Sequence, residues 1–291
     1  MTVTVVFALL AALSNAVHLM TQHAASTDIP HEQKKGLALV GYLFRQPLWL
    51  LGWLAAAGGF AFQAIALHNG ALSIVQPLLV TELVFALLLR RYWIHQDVAP
   101  AAWGSALVVV AALTAFLSVA NPSGGHPVPN KAEWASAILT FGGIVAGLSV
   151  LAAKRGSPVR RAALYAAAAS ITWALMATFI KAATVTLTDH GVFGMLAHWP
   201  VYALVATGVV GTVLQQAALQ VGPLSVSQPV LIVVDPAAAI VLSLWLFDDK
   251  FTNNPLEIAV AVVSFVVMAV GVVALSRTAP SDLDPHSHVR F

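Results

Sequence analysis

Nine stretches of predominantly apolar residues run through this chain, at about 3–20, 48–67, 71–89, 99–119, 134–153, 162–183, 199–219, 224–247 and 256–275. Each is long enough to cross a hydrocarbon core of about 30 Å as a helix. Only helices and closed barrels satisfy their backbone polar groups in lipid, and the period-two alternation of barrel strands is missing. The expected fold is therefore an all-α polytopic membrane protein. Composition agrees: 59% of the residues are hydrophobic and only 9% charged, where a soluble domain carries roughly a quarter charged.

The net charge of +2, with no basic run interleaved with aromatics, gives no footprint for a nucleic-acid partner. The expected surroundings are the lipid bilayer. With no cysteine in the sequence, disulfides, thiolate metal sites and a cysteine nucleophile are excluded. No Lys or Arg precedes the first apolar stretch, so it lacks a leader's basic region and reads as a retained span.

Residues 36–45 are apolar but too short to cross, and read as a half-span or an interfacial helix. With nine spans, Lys34, Lys35, Arg45, Arg90, Arg91, Lys154, Arg155, Arg160, Arg161, Arg277 and Arg290 fall on one side. Lys131, Lys181 and Lys250 fall near the other. Positive residues mark the cytoplasmic face, which predicts a multi-pass protein of the cytoplasmic membrane with its N-terminus outside and C-terminus inside. Lys181 is expected to snorkel to the interface. Trp49, Trp134 and Trp199 near span ends are expected to join an interfacial aromatic belt.

The chain also repeats itself. Residues 63–79 and 215–231 align without gaps and share Gln63/Gln215, Ala66/Ala218, Leu67/Leu219, Gly70/Gly222, Leu72/Leu224, Ser73/Ser225, Gln76/Gln228, Pro77/Pro229 and Leu79/Leu231. Shared hydrophobicity does not explain matched Gln, Ser and Pro. The first copy lies across spans two and three, the second across spans seven and eight. The odd offset of five spans turns the copies opposite ways through the bilayer, an arrangement common in secondary transporters. The expected units are a first repeat at 1–120, a loop plus linking helix at 121–161, an inverted second repeat at 162–276, and a cytoplasmic tail at 277–291.

Polar groups inside these spans mark the candidate site. Glu82 and Asp235 fall within spans three and eight, one alignment position apart. A carboxyl group at mid-bilayer is costly, and a proton or bound cation relieves the cost. Pro77, Pro229 and Pro236 are expected to break their helices. Proline has no N–H, so Pro77 and Pro229 free the carbonyls of Ser73 and Ser225. Those carbonyls, with the amides of Gln76 and Gln228, are candidates for binding a cation or polar solute, and Gln63 and Gln215 are candidates to reach the same region. Asn15 and His18 are the other polar residues of span one, His18 read first as a packed, hydrogen-bonded ring.

Enzyme motifs are absent. His31-Glu32 begins like HExxH, but Lys35 stands where the second histidine is needed. No GxSxG or phosphate-binding GxxxxGK[ST] occurs. His286-Ser287-His288 reads as a solvated tail. Neither an enzyme nor a resident cofactor is expected.

The residues Lys34-Lys35-Gly36-Leu37, Pro47-Leu48-Trp49 and the Gly59-to-Pro77 spacing resemble the drug/metabolite transporter (EamA-like) superfamily, and within it the NIPA-type magnesium transporters. In that family G-E-x-x-N-F-x-A-Y leads through A-P-A-x-L-V to a Pro-Leu in the next span. Gly59, Ala66, Val75, Pro77 and Leu78 keep that register. Phe60 stands at the family's acidic position, Gln63 at its Asn, and Ala71-Leu72-Ser73 at its A-P-A. The resemblance implies secondary transport of metabolites, drugs or cations, with Mg²⁺ as one possible cargo. The reading is a carrier of a small solute or cation between two inverted repeats, coupled to protons or cations. A magnesium transporter is the alternative, and a non-transporting membrane scaffold is the alternative of another class.

Overall fold

A computed structural model describes residues 1–27, 46–119, 129–154, 156–249 and 254–278. The segment 36–45, His31-Glu32 and the tail histidines lie outside them. The described elements are all helical: α1 (Thr2–Thr27), α2 (Pro47–Asn69), α3 (Leu72–Leu79), α4 (Glu82–Tyr92), α5 (Pro100–Val119), α6 (Lys131–Ala153), α7 (Pro158–Ala197), α8 (Trp199–Val221), α9 (Leu224–Leu246) and α10 (Pro255–Thr278). Taking α3 and α4 as one span, nine helices among the described residues are long and apolar enough to cross a membrane. They fall where the nine apolar stretches predict.

Their outward faces need lipid. Leu54 is 70% exposed, Leu107 70% and Leu139 75%, which water would not tolerate on so many helices at once. Inside the bundle the helices approach through small side chains. Thr4, Ala8, Ala12 and Ala16 form an i, i+4 stripe on α1, and Ala162, Ala166, Ser170 and Ala174 form one on α7, all buried. Small residues at that spacing let backbones come close where no hydrophobic force drives helices together.

Helix pairing follows one pattern twice. α1 packs along α2 and against α3 and α4, while α7 packs along α8 and against α9. Across the two groups α3 packs on α9 and α5 on α10, with α6 against α7. The turns before α3 and α9 are alike too. Gly70 and Gly222 both have extended backbones (φ −148° and −152°), so room and not backbone sign calls for glycine. A Cβ on Gly70 would overlap Thr4 of α1, and one on Gly222 would come within 2.6 Å of the Pro158 carbonyl of α7.

Three local features differ from the sequence expectation. None of the three prolines ends a helix: Pro77 lies inside α3, and Pro229 and Pro236 lie inside a continuous α9. The discontinuity in span three falls one turn later, at Val80–Thr81, where the backbone tightens to i−3 bonding (Val80 N–H to Pro77 O 3.2 Å, Leu83 N–H to Val80 O 3.2 Å). α9 stays whole with help from its neighbour, since Ser170 Oγ donates to Leu231 O at 3.2 Å beside the Pro236 step.

α7 runs to Ala197, well past the expected end near residue 183. Its 40 residues would extend about 60 Å, twice a bilayer core, at 1.5 Å per residue. Its last turns therefore stand clear of the core, and it kinks at Gly191, whose φ of 67° and ψ of −174° suit glycine alone. Trp134, expected in an interfacial belt, is 6% exposed and packs instead among Phe179 (5.1 Å, stacked) and Trp199 (5.2 Å, edge-on).

Candidate functional site

One hydrogen bond and one electrostatic coupling fix how α3–α4 runs beside α9. The Ser73 amide donates to Ser243 Oγ at 3.2 Å, and Glu82 acts electrostatically on Asp235. Nine residues forward along α3–α4 match eight residues back along α9, so the two segments are antiparallel. Glu82 and Asp235 therefore meet in the middle of the bundle, one from each half.

Asp235 is half-buried. Its Oδ1 is buried and has no hydrogen-bond partner among the described residues. Glu82 begins α4, directly after the Val80–Thr81 tightening, and the Asn15 side chain of α1 is near enough to favour its charged form. Asn15 reaches that position because α2 offers a glycine there: a Cβ on Gly59 would lie 2.5 Å from Asn15 Oδ1 and 3.3 Å from Ser14 Cβ. Asn15, Glu82 and Asp235 thus form one polar cluster about midway along α1, along the α3–α4 span and along α9. Two carboxylates that feel each other in the membrane interior repel, and a proton or cation at the pair removes that cost.

The other sequence candidates are not gathered here. Antiparallel pairing puts Gln76 near the start of α3 and Gln228 near the start of α9, at opposite ends of the bundle. Twelve residues along α9 separate their levels, about 18 Å at 1.5 Å per residue. Gln76 is buried and Gln228 half-buried. Ser73 is fully buried with its Oγ lacking a partner among the described residues, whereas its repeat mate Ser225 is exposed. Gln63 is half-buried in α2. Gln215 accepts from Trp173 Nε1 at 3.2 Å, a bond inside its own half. His18 is packed as expected, its Nδ1 2.9 Å from the Gly52 carbonyl and its ring edge-on to Trp53.

A second polar group was hidden from sequence reasoning. Lys181, expected to snorkel outward, is 9% exposed. Its Nζ donates to the Gly70 carbonyl at 3.1 Å and lies 4.6 Å from the centre of the Phe247 ring. Asp249 is its counter-charge, and Asp249 in turn accepts from Ser243 Oγ. Phe60 occupies quite different ground: it faces an open apolar groove of about 490 Å³ with Met176 and the α8 residues Gly208 and Thr212. Among the described residues no three His, Cys, Asp or Glu side chains come together as a metal cage.

Comparison with known proteins adds little chemistry to this geometry. No family model matches the chain. No solved structure matches it either. An uncharacterized protein of Corynebacterium glutamicum is 26% identical over 283 residues, spanning 94% of each chain. The likeness therefore runs through both halves and is not confined to one motif.

Proposed function

We propose that the protein is a secondary transporter that moves a small solute or cation across the cytoplasmic membrane, through a site between two inverted repeats. The observation that carries this is the buried Asp235 Oδ1, which has no hydrogen-bond partner among the described residues, with Glu82 of the other half near enough to act on Asp235 electrostatically. A scaffold has no use for a costly acid pair at mid-membrane, while a carrier uses it to hold a coupling proton or cation. The repeated helix pairing, with α3 on α9 and α5 on α10 across the middle, supports two halves that rock about that site. The basic residues Arg90, Arg91, Lys154, Arg160 and Arg161 lie at the end opposite Thr4 and Gly70, which supports an outside N-terminus.

Mg²⁺ is the specific cargo favoured by the resemblance. Two carboxylates and an amide suit it, since Mg²⁺ takes one or two carboxylates and keeps several waters. The test is a thermal-stabilisation screen of divalent cations, amino acids and cationic drugs on purified protein, followed by flux in proteoliposomes. Asp235→Asn and Glu82→Gln are expected to stay folded and lose flux of the stabilising solute. Full flux in both variants would overturn the coupling role. Mg²⁺ uptake no faster than into empty liposomes would remove the magnesium cargo alone.

A further inference from the structure

At the end of the bundle that carries Gly70, the two halves are joined by side chains and not only by packing. Lys181 of α7 donates to the Gly70 carbonyl. Ser243 of α9 accepts from the Ser73 amide, and its hydroxyl donates to Asp249. Asp249 is also the counter-charge of Lys181. Every member is buried: Ser73 and Ser243 are fully so, Asp249 is 8% and Lys181 9% exposed, and Phe247 closes over the ammonium. The first half contributes only backbone groups, a carbonyl and an amide at the start of α3, so the second half supplies all the charge.

The arrangement has the properties of a latch. A buried donor or acceptor is costly to leave unpaired, so the Lys181–Gly70 and Ser73–Ser243 bonds hold the two surfaces in one register without welding them. Gly70 and Ser73 stand where the chain enters α3, the segment that leads to Glu82. Ser73 and Ser243 lie nine and eight residues from the acid pair, a depth of about 13 Å at 1.5 Å per residue. Thr4 Oγ1 donates to the Asn69 carbonyl at 3.0 Å, which ties this entry turn to α1 of its own half. Movement of the second half away from the first would therefore strip Lys181 and Ser243 off Gly70 and Ser73 while leaving α1, α2 and α3 together.

We infer that Lys181, Ser243 and Asp249 form the gate at the Gly70 end of the transport path, shut in this structure, and that it must part before Glu82 and Asp235 are reached from that side. This rests on the transporter reading, yet its test needs no substrate. The sequence has no cysteine, so single cysteines report cleanly. Ser73→Cys places one at the latch and Thr81→Cys one beside Glu82, both buried. Labelling by a hydrophilic maleimide in nanodiscs is expected to be slow in either reporter. Adding Lys181→Met with Asp249→Asn should speed labelling at both positions at least tenfold, and Lys181→Arg should restore slow labelling. Unchanged labelling at Thr81→Cys, or a rise confined to Ser73→Cys, would overturn the gate. The single Lys181→Met and Asp249→Asn variants, checked for monodispersity, carry the test if the double variant does not fold. Faster labelling with no flux of any solute would sink the transporter reading and leave the latch. Flux with unchanged labelling would do the reverse.

Discussion

At the crossing of α1 and α2, Gly59 lies against Asn15; at the crossing of α7 and α8, Gly211 lies against Trp173. The two glycines stand the same distance apart in sequence as Gln63 and Gln215. Each makes room for one large or polar side chain of the helix it crosses. What fills the room differs. In the first half the amide of Asn15 turns toward Glu82. In the second half the Trp173 ring fills the room, so that a Cβ on Gly211 would lie 3.2 Å from it, and its Nε1–H donates to Gln215. One crossing feeds the acid pair while the other binds its own half together. The two crossings thus share a glycine at the same sequence offset, but one borders Glu82 and the other a hydrogen bond within its own helix pair.

A methyl group added to each glycine should act differently at the two crossings. Gly59→Ala should reduce flux of the transported solute about a hundredfold, the loss of about 2.7 kcal/mol, because its Cβ pushes Asn15 Oδ1 away from Glu82. The protein should remain folded, since the displaced atom ends a short side chain and is not backbone. Gly211→Ala presses instead on a ring held by Gln215. It should change flux less than twofold while lowering stability by about 1 kcal/mol, the small end of overpacking effects. Proteoliposome flux and detergent melting curves measured on both variants check the pair. Equal flux loss in the two would show that the halves contribute alike.

The turn glycines come next in size. Gly222→Ala places a Cβ 2.6 Å from the Pro158 carbonyl, a backbone atom at the start of α7 that cannot rotate aside. Gly70→Ala meets only the Thr4 side chain, which can yield by turning its Oγ1 away from the Asn69 carbonyl and shifting its Cβ slightly. Overpacking typically costs about 1–3 kcal/mol. The Gly222 change is expected at the top of that range and the Gly70 change at the bottom. Melting temperatures in the opposite order would mean that α1, not α7, is the rigid partner.

How much of this the sequence carried depends on which residues did the work. The nine spans were legible because lipid demands long apolar runs and little else resembles them. The match of 63–79 with 215–231 was legible because Gln, Ser, Gly and Pro are rare enough there to stand out. The matching stripes of α1 and α7 were not, because Ala at every fourth position is unremarkable in a chain this rich in Ala. Glu82 and Asp235 stood out by cost alone, and the structure brings them together. Gln76 and Gln228 looked like one site because alignment places them together, but opposite orientation sends them to opposite ends. Lys181 looked like a surface lysine because its partners, Gly70 and Asp249, are remote in sequence. Only the fold puts a carbonyl and a carboxylate within its reach.

The smallest effect tests the quiet half of the comparison. Trp173→Phe keeps an aromatic ring against Gly211 and deletes only Nε1–H, leaving Gln215 Oε1 without its donor. Side-chain hydrogen bonds between membrane helices average about 0.6 kcal/mol and reach about 1.7 at most. The expected loss is near the lower figure, a shift of the melting curve with flux unchanged. Gln215→Leu should cost about the same, and the double variant scarcely more than either, because both remove one bond. Were Trp173→Phe to abolish flux at full stability, Gln215 would have to be read as part of the transport site. The second crossing would then feed the acid pair as Asn15 does, and the division of labour between the halves would fail.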